Sequence, residues 1–285
     1  MTQHTSVRAR FAAAVQKDEG AIDLAEAALL IAAEAYPGLD VAHYTARLDG
    51  LAAAARPAVE RADSDLARAR ALLHALAVEH GFAGNRDDYY DRRNSFLNEV
   101  LDRRLGIPIT LSLVYMEVAR RIGLPVVGVG FPGHFLAKLR GPSEIVIDPF
   151  FGQILDDAAC GERLRQMLGA QASFDRGLLR GAGPREILVR MLRNLKQIHL
   201  QAREPEAALA CSERILLAEP GLTHELRDRG LLYLELECHA AAQADLERFL
   251  ALLPDDPSAG VVHEKLVALR RGVALELEIQ QAAIA

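Results

Sequence analysis

Between Gly106 and Asp148 the chain passes from a helix that is apolar on nearly every side into three closely spaced strand-like runs. Few folds accept that order. Pro108 falls at the first turn of the helix, where its missing N–H costs nothing and its fixed φ already suits. Ile109, Leu111, Leu113, Val114, Met116 and Val118 leave no wide polar face, so the helix over about 109–122 is expected to be central. Val126-Val127-Gly128-Val129-Gly130-Phe131 follows as a buried strand, Pro132-Gly133 as a tight turn, and 134–139 as the antiparallel return. A second turn at Gly141-Pro142-Ser143 leads into Glu144–Asp148. The pattern predicts a three-stranded meander packed on the central helix. His134 opens the second strand and Asp148 closes the third, so antiparallel pairing brings the two within hydrogen-bond reach.

The flanking regions are helical. Residues 1–85 are rich in alanine and leucine at helical spacing, with Ile22, Leu24, Ala25, Leu29 and Leu30 on one stripe and Leu66, Ala69, Leu72, Leu73 and Leu76 on another. Pro37-Gly38 and the region of Gly50 punctuate them, which predicts three or four antiparallel helices. A polar, aromatic stretch, 84–93, is expected to be irregular and exposed. Asn94 or Ser95 is placed to cap the next helix, through about Arg104, and Gly106 to end it. Past Gly183 the chain repeats: aligning Pro220 with Pro254 gives the 34-residue tetratricopeptide period. Gly230, Tyr233, Ala242, Leu246, Phe249 and Pro254 fit the signature of the second unit. In the first unit Lys196 and His199 stand where a small residue and an aromatic are usual. Residues 258–284 are expected to form a terminal capping helix. The expected parts are 1–85, 86–180 and 181–285.

Composition narrows the function classes. A net charge of -6 with interspersed lysines and arginines disfavours a nucleic-acid or membrane surface. No run of about 18 apolar residues suggests a membrane span, and the first six residues carry no apolar signal region. Cys160, Cys211 and Cys238 form no CxxC or zinc spacing, so neither metal nor cofactor is expected, and the thiols suggest the reducing cytoplasm. Tryptophan is absent, which argues against a base-stacking platform.

The run Tyr90-Asp91-Arg92-Arg93-Asn94-Ser95-Phe96-Leu97-Asn98-Glu99-Val100-Leu101, with Gly106-Ile107-Pro108-Ile109-Thr110-Leu111-Ser112 and Gly130-Phe131-Pro132-Gly133-His134-Phe135, closely resembles the bacterial SirB-type proteins. The resemblance covers nearly the whole chain. It implies an α+β fold: a helical N-terminal layer, a transglutaminase-like (papain-like) core with a small antiparallel sheet, and an all-α tetratricopeptide-like module. In that superfamily a Gly-x-Cys opens the central helix, and a Gly-Ile-Pro follows before the first strand. Gly123-Leu124-Pro125 fits the second mark, and stepping back by the family's interval lands on Pro108. His134 and Asp148 match the family's histidine and aspartate. The nucleophile's place is taken by an imino acid.

Three roles stay open for the His134/Asp148 pair. It is a retained scaffold; or a binding site in which His134 and the amides of the helix start hold a carboxylate or peptide; or the dyad of a hydrolase with a displaced nucleophile, Thr110 or Ser112. Ser112 lies about 40° from Pro108 around the helix but about 6 Å deeper along its axis, whereas Thr110 points to the other side. Tyr90, Arg92, Arg93, Asn94 and Asn98 form a candidate recognition rim, with Asn94 and Asn98 sharing a helix face. A protein or peptide partner is expected through the repeat module or the cleft, with Lys196 and His199 placed to favour an acidic peptide. The balance of these readings is a non-catalytic interaction or regulatory protein, a pseudoenzyme.

Overall fold

The computed structural model describes residues 2–284 in backbone and 7–271 in side chain; Met1–Ser6, where no apolar signal region is expected, lie outside the described side chains. The chain divides into two compact units, residues 1–191 and 192–285.

The first unit opens with α1 (Thr2–Val15), α2 (Leu24–Ala35), α3 (Val41–Arg61) and α4 (Asp65–Leu73). Asp23, Asp40 and Ser64 cap the last three, each side chain accepting a backbone N–H three residues on. No break occurs at Gly50, contrary to expectation. It lies inside α3, as does Pro57, because one helix glycine costs only about 1 kcal/mol relative to alanine and neighbouring turns carry the helix through. Strands β1 (Ala83–Gly84) and β2 (Leu105–Gly106) pair in parallel on either side of α5 (Leu97–Arg103). Neither Asn94 nor Ser95 caps α5: its N-cap is Phe96, without a side-chain bond. Gly106 does not end it either, because Arg104 has already taken the left-handed conformation at φ 62°.

α6 (Pro108–Ile122) begins on proline and ends on Gly123 at φ 87°. Leu111, Leu113, Val114 and Val118 are fully buried, each contributing about 1.5–3 kcal/mol. α2, α3 and α5 pack against α6 on one side. On the other lies an antiparallel sheet of β3 (Val126–Val129), β4 (Leu136–Leu139), β5 (Ile145–Asp148) and β6 (Gln153–Leu155). The sheet thus has one strand beyond the expected meander, a three-residue run too short to show a period of two. Gly128 and Phe135 face α6 at Met116. Val129, Leu136 and Val146 point to the opposite face, where α7 (Asp157–Leu168) covers them with Cys160 and Leu164. The fold is α+β.

In the second unit, helix α8 (Pro184–Gln201), whose later part belongs to it, is followed by α9 (Pro205–Ala218), α10 (Thr223–Glu235), α11 (His239–Leu252) and α12 (Ala259–Ile284). α9 and α11 start at Pro205 and His239 and end at Ala218 and Leu252, a shift of 34 residues at both ends. The terminal helix supplies Val262 and Leu266 to a core with Leu226, Leu246 and Phe249.

Candidate functional site

The turn Phe131–His134 sets the site. Pro132 supplies the fixed φ of its second position and Gly133, at φ 67°, the left-handed third; His134 N–H then donates to the Phe131 carbonyl at 3.0 Å. His134 therefore lies in the bend ahead of β4, which begins two residues later than expected. Its position is held from outside the sheet, by Arg190 of α8, whose Nη2 donates to the His134 carbonyl at 2.5 Å and the Phe131 carbonyl at 3.3 Å. Burial lowers the pKa of that guanidinium, which remains charged.

Pairing of Ala137 with Ile147 carries the register to Asp148 at the end of β5. His134 Nε2 lies 3.0 Å from Asp148 Oδ2, with both side chains buried. Arg163 of α7 reaches the same oxygen at 3.1 Å. Oδ1 accepts the backbone N–H groups of Phe150 and Phe151 at 3.1 and 3.3 Å. The carboxylate thus holds three hydrogen-bond partners and one ion pair, and His134 has Nδ1 left. The imidazole rests against the rings of Phe150 and Phe151, at 6.1 and 5.9 Å between centroids, and Arg163 stacks on Phe151 at 4.0 Å.

Tyr115 of α6 is buried with a hydroxyl that makes no hydrogen bond. Burial, and then the charge of Asp148, push its pKa up. Pro108, Ser112 and Tyr115 share one stripe of α6, within about 60° of each other, so the stripe that carries the proline is the one within electrostatic reach of the dyad. Thr110 points elsewhere. Its hydroxyl donates to the carbonyls of Asn94 (2.7 Å) and Ile107 (3.1 Å) and accepts from Ile107 N–H (3.2 Å); it ties the helix start to the preceding segment. Ser112 Oγ is buried without a hydrogen-bond partner.

The rim residues separate into two groups. Tyr90, Arg92 and Arg93 are exposed, Arg93 against Asp91 at 2.8 Å. Asn94 and Asn98 are buried and do not share a helix: Asn94 belongs to a 3₁₀ turn, Arg92–Ser95, and Asn98 to α5. Asn94 staples its own loop, donating to the carbonyls of Asp88 (2.7 Å) and Tyr89 (3.2 Å) and accepting from Asn85 (3.1 Å). In the second unit Lys196 is likewise used internally, bonded to Glu225 (2.5 Å) and Asp228 (3.0 Å), while Ser212 donates to Glu225. His199 sits 2.7 Å from Glu204. Neither is free for an acidic peptide, because filling a signature position with a polar group buries it, and burial demands an internal partner.

Among the described residues no group of three or more His, Cys, Asp and Glu side chains converges to hold a metal, and no helix is long and apolar enough to cross a membrane. Cys160 and Cys211 are buried, which pushes their thiols up to about 11 and about 12; Cys238 is exposed. Sequence reasoning missed Arg163, Arg190, Phe150, Phe151 and Tyr115. Only Tyr115 left a signal, seven residues after Pro108 on the same helix face.

Comparison with known proteins agrees with this architecture. The transglutaminase-like superfamily matches residues 42–193, and the tetratricopeptide repeat matches 195–266. A UPF0162 protein of Xylella fastidiosa is 41% identical over 257 residues, 88% of this chain and 92% of its own length. A UPF0162 protein of Pseudomonas aeruginosa is 41% identical over 236 residues, 82% of this chain and 86% of its own. Protein SirB1 of Salmonella typhimurium is 31% identical over 197 residues, 68% of this chain and 73% of its own. With the core, the repeats and the His–Asp pair in place, the chain belongs to the SirB-type family of the transglutaminase-like superfamily.

Proposed function

We propose that this chain is a non-catalytic protein-interaction or regulatory protein of the cytoplasm, built on a transglutaminase-like core that lacks the nucleophilic cysteine. The observation that carries the reading is the start of α6, where Pro108 is the first helical residue and offers no nucleophile. The nearest hydroxyl along the helix, Thr110, is consumed by backbone bonds. His134 and Asp148 then act as a scaffold that fixes the β3–β4 turn to the end of β5. A protein or peptide is the partner, taken up by the repeat module, since stacked helix pairs form concave surfaces. The region of Tyr90, Arg92 and Arg93 is the second place for it, because exposed aromatic and arginine side chains are enriched at interfaces.

One observation favours a hydrolase reading: Ser112 Oγ is unpartnered on the helix stripe shared with Tyr115. Against it, the hydroxyl is fully buried and makes no hydrogen bond to His134. A fluorophosphonate probe separates the two. The expected result is no labelling that depends on His134; labelling abolished by both Ser112→Ala and His134→Ala overturns the non-catalytic reading. The assignment of Pro108 has its own test. Pro108→Cys puts a thiol at a helix N-terminus and, on this reading, near the His134 imidazole, and both would depress its pKa. Its alkylation by iodoacetamide should exceed that of exposed Cys238 by about tenfold, with the excess lost in the Pro108→Cys/His134→Ala double variant. Equal rates remove Pro108 from the nucleophile's place.

A further inference from the structure

Two guanidinium groups stack on the ring of Phe151: Arg163 at 4.0 Å and Arg86 at 4.6 Å from its centroid. They differ in one respect. Arg163 has its anion, Asp148, at 3.1 Å. Arg86 is exposed and has no ion pair or hydrogen bond to its side chain among the described residues. It stands on the wall of a cavity of about 410 Å³ whose lining also includes Phe82, Asn85, Asp87, Phe150 and Phe151.

The chemistry of that wall is selective. Phe82 and Phe150 are buried and present apolar surface, and Phe150 sits where it does because residue 84 is glycine: a Cβ there would fall 2.5 Å from the ring. Asn85 is buried and held by the loop, its amide donating to Asn94 and its carbonyl oxygen accepting from Asp88 N–H. The charged groups of the wall are Arg86 and Asp87, and Asp87 carries no ion pair either. Asp87 repels a multiply charged anion such as phosphate more strongly than a singly charged one, and a purely apolar group would leave Arg86 unmatched. A singly charged carboxylate on an apolar body satisfies both.

We propose that this cavity binds the free α-carboxylate of an apolar residue, with Arg86 as the anion's partner and the rings of Phe82, Phe150 and Phe151 as the wall for its side chain. The carboxylate is matched by the guanidinium fork, which suits planar oxyanions better than an ammonium does. The cavity adjoins the segment that leads into α6, since Leu105 lines it and Asn85 N–H donates to the Gly106 carbonyl at 3.0 Å, and its existence does not depend on whether the dyad turns over. Occupancy is transmitted to the dyad by short covalent steps: the amides of Phe150 and Phe151 donate to Asp148, and their rings flank His134.

The test uses the full chain and follows the His134 ring resonances by NMR, assigned with a His134→Gln variant. N-acetyl-leucine should move them saturably, while N-acetyl-leucinamide, which has the same body without the charge, should not. Arg86→Gln should weaken binding of N-acetyl-leucine at least tenfold. Arg86→Lys, which keeps the charge and much of the stem, should retain part of it and covers the case in which the glutamine variant folds poorly. Equal binding of acid and amide, unchanged binding in Arg86→Gln, or tighter binding of inorganic phosphate would each overturn the proposal. Two sources share this chemistry. Tighter binding of the tripeptide Ala-Ala-Leu than of leucine assigns the site to a chain end, and the reverse order to a free amino acid.

Discussion

Asp148 holds more of the site together than any other single residue. Its two oxygens accept from two backbone amides and an imidazole and pair with a guanidinium, all in a buried setting. Removing the carboxylate strands all four partners, and leaving a buried charge such as Arg163 unmatched costs about 3–5 kcal/mol. Asp148→Ala should therefore lower the unfolding free energy by that amount, read as a fall in the urea midpoint at an unchanged m-value, whereas Asp148→Asn, which keeps one acceptor and the shape, should cost about 1–3 kcal/mol. An alanine variant within 1 kcal/mol of the parent would show that the network is not structural. The same scale explains why Asn94 is no recognition residue. Its position in a polar run suggested exposure, but a loop that turns back on itself needs its carbonyls satisfied, and Asn94 supplies two of those bonds.

At the scale of elements, two helix glycines make opposite demands. Gly230 in α10 lets α11 approach: a Cβ there would lie 2.7 Å from Leu246. Alanine gains about 1 kcal/mol in helix propensity, but overpacking costs typically 1–3 kcal/mol, so Gly230→Ala should be neutral to destabilising by about 2 kcal/mol. Gly50 in α3 has nothing within 4 Å of its would-be Cβ, so Gly50→Ala should stabilise by about 0.5–1 kcal/mol. The thermal midpoint should rise for Gly50→Ala and stay level or fall for Gly230→Ala; a rise for Gly230→Ala equal to that for Gly50→Ala would remove the close approach as the reason for the glycine. The central helix, the turn at Pro132-Gly133 and the 34-residue repeat were legible because each is written in a local period or a turn residue. The fourth strand and the continuity of α3 through Gly50 were not. The strand depends on pairing with β5, and the helix on the turns either side of one glycine.

For the whole molecule, pH dependence follows from carboxylates held low and thiols held high. Hydrogen bonds from Lys138 lower Glu144, bonds from Arg270 lower Glu247, and bonds from Ser258 take Asp256 down to about 2. A group whose folded pKa is depressed stabilises above its ordinary value and loses that contribution as pH falls through the folded value. Stability should thus hold from pH 7 to about 5 and decline below about pH 4.5 towards pH 2. Burial raises Cys160 to about 11 and Cys211 to about 12, from 9.0. Their contribution is complete below pH 9.0 and is lost as pH rises through the folded values. Thermal melts across this range should give a plateau with two falling flanks. A midpoint that rises on acidification below pH 4 would contradict the acid half.

The sequence by itself determined the central helix, the antiparallel runs that bring His134 to Asp148, the proline at the helix start and the repeat period, because helical and strand periodicities and turn residues act over windows of a few to a few tens of residues. Only the tertiary structure decided what surrounds the dyad: Arg163 from α7 on Asp148, Arg190 from α8 on the His134 carbonyl, and Phe150 and Phe151 against the imidazole. It also decided that Lys196 and Asn94 are used internally. Those meetings are set by how whole elements dock, and docking is fixed by the summed burial of many side chains rather than by any short stretch of chain.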